Sequence, residues 1–149
     1  MTQRDEFLEA TLPRLLEADT AFHNGDSRAR SAMWSQNDPV TLFGAVLTKS
    51  GGAEIRSAFE WLASRFSNCE SFDYEVVAAD ASGDLGYIVG IEKTTASVAG
   101  AAPEAYSLRV TMIFRRENGE WKVVHRHGDP IPDSPATQEQ LDRLSARDR

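Results

Sequence analysis

Two segments near the start of the chain carry apolar residues at three- and four-residue spacing, which is the spacing of one helix face. The first covers residues 5–24 and contains Pro13, which predicts a kink or a later helix start; the second covers residues 53–67. Between them, a capped short helix fits residues 26–34. The pattern therefore predicts three helices in the first half of the chain.

The second half of the chain shows the apolar alternation that is typical of β-strands. The predicted strands are residues 40–43, 72–81, 85–98, 106–116 and 121–127. Helices first and a strand meander afterwards indicate an α+β fold, in which a mostly antiparallel sheet is covered by helices on one face and curls around a cavity. We expect one domain over residues 1–129 and a proline-rich, charged tail over residues 130–149, with a helix at 138–146.

Asn118-Gly119 favours a two-residue hairpin turn, which sets the register of the last two strands. The predicted pairs are Arg116 with Trp121, Phe114 with Val123, Met112 with His125, and Val110 with His127. Because opposed residues share a face, Met112, His125 and His127 should face the helices, and Arg109 should point outward.

Composition excludes several classes of protein. The chain has 149 residues, a formal net charge of −7 and one cysteine, and it contains no apolar run near the about 20 residues of a membrane helix. The acidic balance opposes nucleic-acid binding, and a strongly anionic ligand is less expected than a neutral one unless a local arginine receives it. The single Cys69 and a first segment without an apolar signal core lead us to expect a cytoplasmic protein.

Four stretches of the sequence resemble nuclear-transport-factor-2-like proteins, particularly the SnoaL-like branch, over about residues 5–129. They are WSQNDPVTLFGA, AEIRSAFEWLASRF, GDLGYIVGIE and LRVTMIFRRENGEWKVVHRHGD. The last stretch is also similar, around VVHRH, to the association domain of calmodulin-dependent kinase II.

This resemblance implies a cone-shaped fold, in which a curved antiparallel sheet wraps around three helices and leaves a cavity, and a homodimer formed through the convex face of the sheet. The superfamily includes ketosteroid isomerases, polyketide cyclases, epoxide hydrolases, dehydratases and non-enzymatic modules, so the fold leaves function open. The ketosteroid isomerase pattern is absent, because residues 40–44 hold no acid and residues 5–24 hold no tyrosine.

The segment from His125 to Asp129 is the most suggestive for chemistry. Residues two apart on a strand point the same way, so His127 could act as general acid–base with Asp129 orienting its ring. The alternative is a histidine that lines the pocket without chemistry. His125, His127 and Asp129 could also form a metal set, but Gly128 and Pro130 should turn the third ligand away, so we expect no metal and no cofactor.

Several further residues are candidates for binding. Trp34, Trp61 and Tyr87 could form an aromatic wall, with Met112 and His125 beside it. For Trp34, ordinary packing in the core is the favoured alternative. The resemblance marks Arg109 as a cavity residue that receives acidic ligands, whereas strand alternation favours the convex face. Both readings stay open.

Four ionisable residues allow a purely structural interpretation beside a functional one. Asp19 and His23 are four apart on a helix, where a solvated pair is expected. Glu75 and Glu92 lie mid-strand, either on the open face of the sheet or buried with a raised pKa.

Three functions therefore compete. The first is a protein that binds a small, apolar or weakly charged molecule in an apolar cavity. The second is a cofactor-free cyclase, isomerase or dehydratase that uses His127. The third is a dimeric assembly module.

Overall fold

The structure is a computed structural model that describes residues 1–131 and 135–145. This part of the chain contains four helices and six strands. The helices are α1 (Gln3–Phe22), α2 (Arg28–Met33), α3 (Gly52–Ser64) and α4 (Pro135–Ser145). The strands are β1 (Thr41–Phe43), β2 (Thr48–Ser50), β3 (Phe66–Ser82), β4 (Leu85–Val98), β5 (Glu104–Glu117) and β6 (Glu120–Pro130).

The strands form one sheet in the order β2-β1-β6-β5-β4-β3, which curves and stays unclosed. Neighbouring strands are antiparallel except β1 and β6, which run parallel. Phe59 of α3 and Phe22 of α1 belong to the apolar core together with Ile88 and Val110 from the sheet. This confirms the predicted α+β cone, with its sheet curved around helices.

Helix α1 begins ten residues before Pro13, so the prediction that the helix starts at the proline is wrong. Thr2 caps it, since Asp5 N–H donates to Thr2 Oγ1 at 3.1 Å and Thr2 N–H donates to Asp5 Oδ2 at 3.2 Å. Phe7 is fully buried, with its ring centre 4.9 Å from that of Trp121. The cap and this buried anchor hold the first turns in the helix.

The β5–β6 hairpin follows the predicted register only as far as Phe114. Arg116 pairs with Trp121 and Phe114 with Val123, but a bulge at this point then pairs Ile113 with His125. The bulge lies where β6 changes its neighbour on the side opposite β5. Ser35 N–H donates to Val123 O at 2.9 Å before the bulge, and β1 pairs with residues 125–127 after it.

The bulge exchanges the two faces of β6. Met112 pairs with Arg126 and Thr111 pairs with His127, so the predicted pairs of Met112 with His125 and of Val110 with His127 are wrong. Arg126 is buried inside, whereas His127 is exposed.

The last strand ends later than predicted, and the helix expected in the tail begins earlier than predicted. Strand β6 runs to Pro130, and α4 covers Pro135–Ser145; the predicted helix end at residue 146 lies outside the described residues. None of the described helices is both long enough and apolar enough to cross a membrane.

Candidate functional site

A pocket of about 480 Å³ lies between the inner face of the sheet and helices α1 to α3. Much of its wall is apolar. Side chains that supply this apolar wall are Phe22, Leu42, Leu47, Phe59, Leu62, Phe66, Ala96 and Leu108. Polar groups also reach the wall, from His23, Arg30, Glu92, Tyr106 and Arg126. An apolar concavity of this size with a few convergent polar groups is the usual form of a small-molecule site.

His23, directly after α1, is fixed by hydrogen bonds to both ring nitrogens. Nδ1 lies 2.7 Å from Asp19 O, and Nε2 lies 2.6 Å from the Tyr106 hydroxyl. A carbonyl oxygen can only accept, so Nδ1 carries the proton and Nε2 accepts the bond from Tyr106. Burial, and then the charge of Arg30, lower the pKa of His23 to about 4.

Tyr106 on β5 completes this neutral pair. Burial raises the pKa of its hydroxyl to about 12, with a side-chain hydrogen bond to Thr94 acting in the opposite direction. At neutral pH the Tyr106 hydroxyl therefore keeps its proton and donates a hydrogen bond to His23 Nε2, and neither group titrates. The pair holds the Tyr106 oxygen in a fixed position at the pocket wall, while both ring nitrogens of His23 are used within the protein.

Two buried ion pairs lie beside the histidine. Arg30 Nε donates to Asp19 Oδ1 at 2.9 Å, and the Arg30 Nη2 group contacts the same oxygen. Arg126 binds Glu92 with two bonds, from Nη1 to Oε2 at 2.6 Å and from Nη2 to Oε1 at 2.8 Å. Such two-point contacts fix the geometry of both partners as well as their charge.

The two carboxyl groups respond differently to burial. Burial raises the pKa of Glu92, but the charge and hydrogen bonds of Arg126 outweigh this effect and hold the pKa below its usual value. For Asp19 burial dominates over Arg30, so the pKa of its carboxyl lies above its usual value. Glu92 is thus buried as predicted in one reading, but it is a paired anion rather than an acid with a raised pKa.

The predicted aromatic wall does not form part of this pocket as the described residues outline it. Trp34 is buried in the core, with its ring centre 5.4 Å from that of Phe59. Trp61 is 53% exposed on α3, under Arg65, and Tyr87 is 43% exposed on the far side of the sheet. Met112 is buried behind the pocket, where its sulphur lies 4.0 Å from Arg126 Nη1.

The predicted catalytic side chains, His125, His127 and Asp129, lie on the outer face of the sheet. This is the side that carries Tyr87, Arg109 and Ile113. His125 Nδ1 is 2.7 Å from Thr41 Oγ1, and the Phe43 ring lies edge-on to both His125 and His127. The inward orientation expected for the two histidines is therefore wrong, because the bulge turns Arg126 inward instead. No acid–base role for His127 within the pocket is compatible with this orientation.

Arg109 and Asp129 pair with each other on the same outer face, with Nη2 and Oδ2 at 2.7 Å. Strand alternation predicted this side for Arg109, and the reading that places it in the cavity is wrong. Asp129 bonds to the arginine rather than to a histidine ring. Across the described part of the chain, no three His, Cys, Asp or Glu side chains are arranged to hold a metal ion.

Of the polar groups that reach the pocket, the sequence pointed to Glu92 but not to Tyr106, Arg30 or Arg126. Tyr106 could have been found, since it continues the inward alternation of Leu108 and Val110. His23 was expected in a solvated pair with the Asp19 side chain, which is wrong: its ring bonds the Asp19 carbonyl, and the carboxylate binds Arg30. Arg30 lies on a helix too short for its pattern to indicate an inward face.

Comparisons with known proteins agree with this fold. The SnoaL-like domain family matches residues 12–133. No curated protein matches the sequence significantly. A candidate dehydratase of the NTF2-like family from Streptomyces avermitilis is 18% identical, with a TM-score of 0.68, over 87% of this chain and 99% of its own.

Two further solved structures are similar. An NTF2-like protein from Cytophaga hutchinsonii is 15% identical, with a TM-score of 0.66, over 88% of this chain and 100% of its own. A candidate calcium/calmodulin dependent protein kinase II association domain from Xanthomonas campestris is 12% identical, with a TM-score of 0.61, over 87% of this chain and 88% of its own. Such low identities show the shared fold, and the family match covers most of the sequence. The chain belongs to the SnoaL-like domain family.

Proposed function

We propose that the protein binds a small, largely apolar molecule in the pocket between the sheet and helices α1 to α3. The observation that carries this proposal is the combination of a volume of about 480 Å³ with an apolar wall and a buried polar end at His23 and Tyr106. Pockets of this volume accommodate drug-sized molecules, and a few fixed polar groups set their orientation.

Binding without catalysis fits the protonation of the polar end better than acid–base chemistry does. A general acid or base works best when its pKa lies near the working pH. The pKa of His23 is about 4 and that of Tyr106 is about 12. Both groups are therefore weak proton carriers at neutral pH, and the Tyr106 oxygen can still accept a hydrogen bond from a ligand.

The alternative function is a cofactor-free cyclase, isomerase or dehydratase. It is favoured by the 2.6 Å contact of His23 Nε2 with the Tyr106 hydroxyl in the pocket and by similarity to the candidate dehydratase. In this alternative His23 takes the role that the sequence suggested for His127. The bound molecule distinguishes the two functions, because a binding protein releases it unchanged.

The test is to measure binding of the neutral dye N-phenylnaphthylamine by fluorescence and to compare native with denatured mass spectra for a retained molecule. Leu108 lines the pocket, so Leu108→Trp should fill it and weaken dye binding by about tenfold or more. Val77→Trp adds the same side chain at an exposed site on β3 and should leave binding unchanged.

Equal binding by the wild-type protein and Leu108→Trp would place the dye elsewhere and remove the support for a pocket ligand. A retained molecule that the protein releases chemically altered would favour the enzymatic alternative.

We also propose that two copies of the chain associate through the outer face of the sheet. Tyr87 and Ile113 are direct partners on β4 and β5, and they are 43% and 39% exposed. Half-buried Val89 and Ile91 continue this apolar strip along β4. An exposed apolar strip of this kind is typical of a protein interface, and a two-fold axis would bring the strip against itself.

A further inference from the structure

Arg30 of α2 contributes a guanidinium group to the buried wall of the pocket. The residue is 9% exposed, and its Nε and Nη2 groups both donate to Asp19 Oδ1. Its guanidinium carbon lies 3.6 Å from the centre of the Phe22 ring. An aromatic face on one side and a carboxylate at one edge hold the guanidinium plane in one orientation.

These contacts leave the Nη1 group of Arg30 open. Nη1 has no hydrogen-bond partner among the described residues. Every fully buried side-chain nitrogen and oxygen of these residues does have a partner. Nη1 is therefore not fully buried, and part of its surface is accessible to solvent. The pocket is the large space that Arg30 borders; the second cavity beside it holds only about 10 Å³. A guanidinium nitrogen carries two N–H donors, and here they are available to a ligand.

Only one of the two buried arginines has its carboxylate partner in the pocket lining. Glu92 neutralises Arg126 inside the pocket through two hydrogen bonds. Asp19 pairs with Arg30 from behind, since it borders the small second cavity rather than the pocket. His23 is neutral, and Glu104 lies exposed at the mouth. Arg30 therefore presents a positive group to the pocket, while its partner carboxylate lies outside the pocket lining.

We infer that the polar end of the ligand is a carboxylate that accepts hydrogen bonds from Arg30 Nη1. This inference rests on the proposed function and narrows it from a weakly polar molecule to an apolar monocarboxylate. A guanidinium that is already oriented loses little side-chain freedom on binding, so it recognises a carboxylate more strongly than a flexible lysine would. The apolar wall, including Leu62 and Leu108, contacts the rest of the molecule.

The experiment compares carboxylates with alcohols of equal chain length. Octanoate and decanoate are titrated into the isotopically labelled protein and followed by NMR, and octanol and decanol serve as matched neutral probes. We expect decanoate to bind about tenfold to a hundredfold more tightly than decanol, since a hydrogen bond to a charged group contributes that much. The amide signals of residues near Arg30 should shift.

Variants test whether Arg30 is the source of this preference. The double variant Asp19→Asn/Arg30→Gln removes the ion pair as a unit and should bind decanoate and decanol alike. Arg30→Lys retains the charge and should keep a reduced preference for decanoate. Arg109→Gln, on the outer face, removes a paired arginine outside the pocket and should retain the full preference.

Each outcome separates this inference from the proposed function. If the wild-type protein binds decanol as tightly as decanoate, the carboxylate inference is wrong and binding in the pocket stands. A double variant that keeps the full preference also overturns the role of Arg30. If neither probe shifts any pocket signal, the proposed function itself loses its support. If the double variant does not fold, the wild-type comparison and Arg30→Lys still decide.

Discussion

His23 shows how a single side chain can couple the pocket to the stability of the fold. The fold keeps its ring in the neutral form, because burial and the nearby Arg30 oppose a second positive charge. Its pKa is about 4 in the folded chain, against 6.5 for a free histidine. Between these pH values the unfolded chain binds the proton and the folded chain does not, so acid favours unfolding.

The prediction is that the stability contributed by neutral His23 is complete above about pH 6.5 and is lost as the pH falls toward 4. For a pKa difference of this size the loss is roughly 3 kcal/mol at most. Urea unfolding of the wild-type protein and His23→Gln at pH 7 and pH 4.5 measures it. The wild-type protein should lose more stability than the variant, and the carboxylates and His125 are common to both. Parallel losses would contradict a buried neutral His23.

At the scale of elements, the sequence predicts most strands and helices but not the face on which β6 places its chemistry. Apolar alternation and the Asn118-Gly119 turn are local signals, and they give the hairpin correctly as far as Phe114. The bulge beyond it depends on two distant partners, β1 on one side and Glu92 on the other. Local alternation carries no information on either, so the histidines were assigned to the wrong face.

The same limit explains which site residues could be predicted. Tyr106 and Glu92 follow from alternation along β5 and β4, which needs no knowledge of tertiary structure. Arg30 and Arg126 are buried only because a carboxylate meets each of them, at residues 11 and 34 positions away in the sequence. Burying a charge without a partner is strongly destabilising, so an arginine whose partner is unknown is expected to be exposed. For this reason the sequence does not indicate that Arg30 and Arg126 are buried.

Gly90 provides a prediction at the scale of the β3–β4 contact. A Cβ atom at this position would lie 2.3 Å from Glu75 O and 2.5 Å from Tyr74 Cε1. Tyr74 lies across the glycine, with its hydroxyl 3.4 Å from Val110 O. We expect Gly90→Ala to lower the free energy of unfolding by about 1–3 kcal/mol, because backbone and ring must both move.

Urea unfolding measures this effect, and Gly128→Ala is the matched control. A Cβ atom at Gly128 would meet Val110 Cγ2 at 3.5 Å, an ordinary contact, so the control should change stability by about 0.5 kcal/mol or less. If the two variants were equally stable, β3 and β4 would not approach each other as closely as described.

At the scale of the whole molecule, the two faces of one sheet carry different tasks. The inner face holds the pocket and its paired charges, whereas the outer face exposes the apolar strip of Tyr87, Val89, Ile91 and Ile113. A ligand and a second copy of the chain would therefore use opposite sides of β4 and β5. The proposed association can consequently be disrupted without changing any group that borders the pocket.

Ile113→Glu tests the association through the outer face. A glutamate at the centre of an apolar interface would be buried without a partner, at a free-energy cost of a few kcal/mol. We therefore expect the dissociation constant of the dimer to rise by more than about a hundredfold. Sedimentation velocity over a range of concentrations should show a dimer for the wild-type protein and a monomer for the variant.

Trp61→Glu, on the exposed side of α3, introduces the same charge away from the strip and should remain dimeric. Because residue 113 points away from the pocket, the monomeric variant should bind N-phenylnaphthylamine as the wild-type protein does. A wild-type protein that sediments as a monomer at high concentration, or an Ile113→Glu variant that stays dimeric, would show that the strip is not the interface.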